Sequence, residues 1–293
     1  MKTAHAEHTV AKLAVYAPGE LDDDGTSEIE PLSPHSLAAL TRLARYKPPD
    51  DPYPFPAGRS AVLVALFGSR SGRNLNVLLS TRSASLRTYP VALPGGKMDE
   101  TDINLEATAR REAFEEIGLP IDTTRIRYLT ALPPFLARSM MLVTPIVCFV
   151  LDYSLKPELN HSEVADLFSF PLEGFLASDA RHPCFSNPPS TAVASGAAPY
   201  HFSEDYPWFD GRPHRFHSFQ ADPQPVTGIT AEILIHTASI AYGRPPDYDL
   251  HAPLEMPRAD LIERATQDPK WAEFRQRWSE KRLAEEEVQK SKL

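Results

Sequence analysis

The stretch Leu93-Pro-Gly-Gly-Lys-Met-Asp-Glu-Thr-Asp102, followed shortly by Arg111-Glu-Ala-Phe-Glu-Glu-Ile-Gly-Leu119, constrains this chain more than any other part of it. Its second half reads as a helix. At about 100° per residue, Glu116 lies roughly 40° to one side of Glu112 and Glu115 roughly 60° to the other, so three carboxylates share one face. Ala107, Ala113, Phe114 and Ile117 take the opposite side, as an amphipathic helix requires. The helix is therefore expected to pack through its apolar side and to point acid outward. Like charges at this spacing destabilise a helix by a few tenths of a kcal/mol, and a divalent cation relieves that repulsion. Oxygen-only ligands suit Mg²⁺ or Mn²⁺. Gly118 stands where a left-handed C-cap is wanted, and Gly95-Gly96 permit a close backbone turn at the other end. An isolated Glu-Glu pair is mostly solvated surface. Here the glycines, the Arg-Glu-x-x-Glu-Glu-x-Gly order and the apolar back face coincide, which points to a hard-metal site for phosphate chemistry.

At these residues the chain resembles the Nudix hydrolase family, whose signature is Gly-x5-Glu-x7-Arg-Glu-U-x-Glu-Glu-x-Gly-U, with U aliphatic. The interval from Gly96 to Arg111 is one residue longer than in that pattern, and Asp102 stands where the first Glu belongs. This expansion, with Asp99-Glu-Thr-Asp102, is similar to the coenzyme A pyrophosphatase subgroup. So is the upstream element Leu78-Leu-Ser-Thr-Arg-Ser-Ala-Ser-Leu-Arg87. Looser likeness runs through Val143–Val147, Glu163–Leu172 and Gly228–Leu234. Between Arg87 and Pro94 the chain has only Thr88-Tyr-Pro-Val-Ala-Leu93, two residues shorter than the subgroup and without its Gly-Glu.

The resemblance implies an α/β/α sandwich with a mixed sheet, extended by helical segments at both ends. It implies metal ligation by Glu112, Glu115 and Glu116 with a backbone carbonyl near Gly96. Arg111 is expected to hold one of the glutamates through a bidentate pair, since guanidinium geometry matches carboxylate. Arg82 and Arg87 are expected to bind substrate phosphates, and Glu163 is a possible general base. The implied reaction is metal-dependent hydrolysis of the diphosphate of coenzyme A or a derivative, giving adenosine 3′,5′-bisphosphate and (acyl-)phosphopantetheine. Hydrolysis of another nucleoside diphosphate derivative, such as a dinucleotide, ADP-ribose or an oxidised nucleotide, is the alternative. A binding protein that uses the fold without turnover is a third reading, disfavoured because simple binding has no need of three crowded carboxylates.

Composition suits a soluble enzyme: 293 residues, 42% hydrophobic and 24% charged, allow a sizeable core. The formal net charge of −9 argues against a nucleic-acid surface. Cys148 and Cys184 are expected to be reduced structural thiols of an intracellular protein. No apolar run reaches the ~18 residues of a membrane span and no signal-peptide core opens the chain, so membrane insertion is not expected. Ser291-Lys292-Leu293 reads as a peroxisomal address recognised by an import receptor, with the cytoplasm as the alternative location. A flexible arm is expected over 1–33, the hydrolase domain over 34–245 with a loop-rich insertion at 178–213, and a helical extension over 246–293. Within the domain, helices are expected at Pro34–Tyr46 and Gly228–Ala241, and strands at Ser60–Phe67, Val77–Arg82, Ile126–Ala131 and Leu142–Leu151. Polar helices follow from Arg258, with Trp271, Phe274 and Trp278 as an apolar stripe.

Overall fold

The structure is a computed structural model, and it describes residues 31–53, 58–83, 91–187, 189, 199–208, 211–269, 271 and 273. Its centre is the strand β1, Arg59–Gly68, an aliphatic run buried along most of its length. Because successive side chains point to opposite faces of a sheet, β1 serves two cores. Ala61, Leu63 and Ala65 enter one of them, and Val64 and Leu66 enter the other. A sheet covered on both faces reads as a near-continuous hydrophobic run, which is why this segment shows no polar alternation.

Around β1 the chain builds an eight-stranded mixed sheet. The strand β2, Leu75–Arg82, returns antiparallel to β1 after a short turn, with Leu66 opposite Val77. β3, Val91–Ala92, and β4, Gly95–Lys97, lie antiparallel against β2 and β1 respectively. After the glutamate helix come β5, Ile126–Ala131, β6, Phe135–Leu136, and β7, Leu142–Val150. β7 runs parallel to β1, and β8, Val164–Pro171, pairs antiparallel with β2. β9, His201–Pro207, β10, Pro213–Phe219, and β11, Val226–Thr227, form a separate antiparallel sheet.

The helices cover the two faces. α1, Pro34–Arg45, starts with Pro34 in its first turn, and its N-cap Ser33 accepts from the Ser36 N–H, the arrangement that satisfies an otherwise orphan donor. α2, Leu105–Ile117, lies over the Ala61–Ala65 face, capped by the Asn104 side chain and ended by Gly118 at φ 68°. α3, Gly228–Tyr242, is apolar almost all round because it is buried beside α1 under the other face. α4, Arg258–Gln267, packs Leu261, Ile262 and Ala265 against Leu136, Leu142 and Trp271. The molecule is thus an α/β sandwich with a large mixed sheet.

Several sequence expectations shift. Residues 178–213 are not only loop: β9 lies inside them, paired with β10 along seven positions from Phe219 opposite His201 to Pro213 opposite Pro207. That strand is exposed beyond its first residue, so backbone pairing makes it and no apolar alternation marks it. The glycine pair does not turn directly into the helix either. Gly95 and Gly96 belong to β4, and Asn104 starts the helix eight residues later. Phe114 does not pack beneath α2 but is 53% exposed. Ala109, Ala113 and Ile117, at i, i+4 and i+8, set the buried line, and a residue about 100° beyond Ala113 has already turned to solvent. Residues 1–30, Phe274, Trp278 and the terminal Ser291, Lys292 and Leu293 lie outside the described residues, as does Arg87.

Candidate active site

The same helical arithmetic explains why the three glutamates part company. Measured from Ala113, at the centre of the buried line, Glu116 sits only about 60° away, Glu112 about 100° and Glu115 about 160°. Glu116 is accordingly buried, Glu112 is largely covered, and the side chain of Glu115 is 53% exposed. The acid face is not uniformly outward. One edge of it is tucked beneath β4.

β4 makes that possible through its glycines. A Cβ on Gly95 would run into the carbonyl of Ala61 and the backbone of Val62 on β1, and one on Gly96 would stand 2.5 Å from the Glu112 carboxylate. The bare backbone therefore lies directly against the helix. The Gly95 N–H donates to Glu116 Oε2 at 3.0 Å. Burial is the main reason the Glu116 carboxyl is pushed up to about 7. Its Gly95 hydrogen bond and nearby Arg82 pull the other way, while Glu112 and Glu163 add to the rise. Glu112 is raised as well, first by burial and then by Glu115 and Glu163, against the pull of Arg111.

Arg111 is the hub that joins helix, loop and strand. Its bidentate partner is Asp102 rather than a glutamate: Nε donates to Oδ1 at 3.0 Å and Nη2 to Oδ2 at 2.9 Å. Nη1 reaches Glu112 at 3.0 Å and Glu115 at 3.1 Å, and Nη2 also donates to the Lys97 carbonyl at 3.0 Å. Asp102 also accepts from the Asp99 N–H. Burial alone would raise Asp102, but these hydrogen bonds outweigh it and hold the carboxyl below its ordinary value. Sequence reasoning missed this pairing, although Asp102 at the signature's first acidic position was the signal for it.

A cleft of about 150 Å³ opens beside Glu116. Gly95, Gly96, Glu116, Arg82 at the end of β2, and Glu163 just before β8 line it together. The fold thus brings residues from four sequence regions to one cleft, Arg82 and Glu163 among them. Glu112 and Glu115 are not among the residues that line it and are held by Arg111. Ile229, Thr230 and Ile233 of α3 line the cleft as well, a contribution that the apolar run of that helix does not disclose. Among the described residues no group of three or more His, Cys, Asp or Glu side chains is already gathered closely enough to hold a metal ion. The donor chemistry nonetheless fits a hard cation. Glu112, Glu116 and Glu163 lie close enough for their charges to add to the rise that burial gives the first two, and hard oxygen ligands of this kind suit Mg²⁺ or Mn²⁺.

The chain has relatives among known proteins. The NUDIX domain pattern matches residues 56–185. Nudix hydrolase 15, mitochondrial, of Arabidopsis thaliana is 36% identical over 205 residues, covering 68% of this chain and 64% of that protein. Peroxisomal coenzyme A diphosphatase 1 of Saccharomyces cerevisiae is 35% identical over 174 residues, covering 48% of this chain and 51% of that protein. Peroxisomal coenzyme A diphosphatase ndx-8 of Caenorhabditis elegans is 32% identical over 209 residues, covering 70% of this chain and 77% of that protein. The chain therefore spans under two thirds of the plant relative and about half of the yeast one.

Proposed function

The chain belongs to the Nudix hydrolase family, and from that premise we propose that it hydrolyses the diphosphate bond of coenzyme A or its derivatives. The observation that carries the reading is the cleft in which Arg82, Glu116, Glu163 and the bare Gly95-Gly96 backbone meet. Two relatives named as coenzyme A diphosphatases, and the Leu78–Arg87 element, support the choice of substrate.

Glu112, Glu115, Glu116 and the Gly96 carbonyl are the groups that would hold a Mg²⁺ or Mn²⁺ ion. Bound there, the ion would neutralise diphosphate charge and make a water more acidic. The protein's own groups do the rest. Arg82, and Arg87 from the same element, bind phosphate oxygens. Glu163 accepts the proton of the attacking water. The Gly95 N–H fixes the orientation of Glu116, and Arg111 fixes Glu112 against the Asp102 loop. Water oxygen bonds to one phosphorus and the bridging P–O bond breaks. The products are adenosine 3′,5′-bisphosphate and (acyl-)phosphopantetheine, with no covalent enzyme intermediate.

The shortened Thr88–Leu93 segment, which lacks the subgroup's Gly-Glu, favours the competing reading of another nucleoside diphosphate substrate. A product assay separates them, using purified protein with Mg²⁺ or Mn²⁺ against coenzyme A, oxidised coenzyme A, acyl-coenzyme A, ADP-ribose and NADH. Release of phosphopantetheine products is expected; turnover of ADP-ribose or NADH with none from the coenzyme A compounds overturns the assignment. We also place the activity in the peroxisome, the compartment in the names of the yeast and worm relatives, against the mitochondrial one of the plant relative. A fluorescent fusion at the N-terminus should be punctate and should become cytosolic when Leu293 is deleted, through loss of the import receptor's recognition. An unchanged punctate distribution counts against that signal.

A further inference from the structure

The cleft has two chemically different sides. Arg82, Glu116 and Glu163 make one of them, and the first turns of α3 help to make the other through Ile229 and Ile233, with Val62, Leu93 and Val143 beside them. This second side is fixed in place by the fold. Gly228 takes φ 61°, a left-handed conformation that glycine adopts readily, and α3 starts there from β11. Thr230 Oγ1 donates to the Val91 carbonyl on β3 at 3.3 Å, tying the first turn of the helix to the sheet. Ile233 is fully buried, and Ile229 is half-buried against the larger core.

Size limits what can touch both sides at once. The cleft of about 150 Å³ is well below the roughly 300–1,000 Å³ of sites that enclose a whole drug-sized ligand. A diphosphate diester spanning it has room there for the diphosphate and the few atoms next to it, while its base and its far end lie outside. With the diphosphate on the Arg82 side, the apolar side meets carbon within a few bonds of phosphorus. That is where the candidate substrates differ. In the pantetheine arm of coenzyme A the second carbon from the phosphate oxygen is quaternary and carries two methyl groups. In ADP-ribose and the dinucleotides the same position is a ribose ring bearing oxygen.

We infer that Ile229, backed by the buried Ile233, forms a specificity wall that takes the dimethyl carbon of the pantetheine arm and disfavours a sugar there. This rests on the coenzyme A reading of the site. Apolar pockets discriminate a methyl-sized group by about 10- to 200-fold, and a sugar hydroxyl turned to such a wall loses its water without gaining a partner.

The test compares coenzyme A with an analogue whose pantetheine arm carries hydrogens in place of both methyl groups. For the unaltered protein kcat/KM is expected to be about tenfold higher for coenzyme A. In Ile229→Ser that preference should shrink to within twofold, and in Ile229→Leu, which keeps the apolar contact, it should return. The comparison of two substrates on the unaltered protein does not depend on how the variants fold. Hydrolysis of coenzyme A with less than twofold preference over the analogue overturns the wall and leaves the coenzyme A reading standing. The wall is equally overturned, and the coenzyme A reading again kept, if Ile229→Ser lowers both substrates by the same factor. Failure of the unaltered protein to hydrolyse any coenzyme A compound removes the reading itself.

Discussion

Two regions of this molecule crowd carboxylates, and they resolve the crowding in opposite ways. Beside β4, burial first and the neighbouring carboxylates second raise Glu112 and Glu116 above their ordinary values, Glu116 to about 7. Where β10 meets α3, His214 is gripped at both ring nitrogens: Nε2 lies 3.0 Å from Glu232 and Nδ1 lies 3.1 Å from Glu255. A ring that faces a carboxylate at each nitrogen must be the doubly protonated imidazolium to donate to both. Burial opposes that charge, but the two carboxylates raise His214 to about 10, and Glu255 in return is held well below its usual range. Glu255 also accepts from the backbone N–H of Arg215 and Ala252, so the cluster secures the 250–255 loop. The histidine cluster carries its own cation. The cleft carries too few positive charges for its acids, and that shortfall is what the proposed binding of a cation and an anionic substrate would answer.

The sharpest way to break the contrast is to neutralise one acid in each region. Glu116→Gln keeps an oxygen to accept from the Gly95 N–H but cannot carry charge, and kcat/KM should fall by about 10²-fold or more, in the range found for groups that act on the reacting atoms. Its melting temperature should not drop, since a costly buried carboxylate has gone. Glu232→Gln should do the reverse, leaving kcat/KM within twofold and lowering stability by about 0.5–2 kcal/mol, because the hydrogen bond between two opposite charges becomes one to a neutral amide. Undiminished activity in Glu116→Gln would refute the proposed metal site.

Next in size is the pH dependence of stability. His214 is raised from its ordinary 6.5 to about 10 in the folded state, so its contribution is complete below about pH 6.5 and disappears as pH rises through 10. Glu255 is lowered, so its contribution holds above about pH 4.5 and is lost as pH falls below that value. The unfolding free energy should therefore decline from neutral pH to pH 10 by about 3 kcal/mol more in the unaltered protein than in His214→Gln, after allowing for partial solvent screening. Chemical denaturation at a series of pH values measures it. Parallel curves for the two proteins would mean that His214 is not held as an imidazolium.

A smaller effect is expected at Gly96, where a Cβ would press on the Glu112 carboxylate from 2.5 Å. Gly96→Ala must displace Glu112 or β4, and misplacement of a catalytic group by a fraction of an ångström costs activity well before it costs stability. A fall of about tenfold in kcat with a change in stability below about 1 kcal/mol is expected from steady-state kinetics and melting. Equal activity would show that the close approach of β4 to α2 has no part in the chemistry.

Much of the fold is legible in the chain itself. The strands β1, β5 and β7 and the helices α1 and α3 stand out as apolar runs and periodic segments. The grouping of Arg82, Glu116 and Glu163 follows from motifs far apart in sequence that the fold brings together. What the sequence hid has physical causes. β9 is a strand by backbone pairing while its side chains face water, so no periodicity marks it. Arg111 had several acids in reach, and only the path of the 98–104 loop makes Asp102 its bidentate partner. The contribution of Ile229 and Ile233 to the cleft depends on how α3 crosses the sheet, which an all-apolar helix does not disclose, since every one of its faces looks equally suited to burial.

Phe114 gives the smallest effect and the finest test of how α2 is set against the sheet. A phenylalanine next to Ala113 on a helix with acids on one side reads as part of the packed face, and a buried Phe would lose about 3–5 kcal/mol on truncation. In the structure the buried sector runs from Glu116, through Ala113 and Ile117, to Arg110, and Phe114 lies just outside it at 53% exposure. Phe114→Ser should therefore change stability by no more than about 0.5–1 kcal/mol, and it should leave the cleft untouched. The rotation that exposes Phe114 is the one that turns Glu116 under β4, because the two residues lie about 160° apart around the same axis. A large loss on truncation would mean that the helix is rolled so as to bury Phe114, which would carry Glu116 out of the cleft. Urea denaturation of this one variant thus reports on whether Glu116 lies in the cleft.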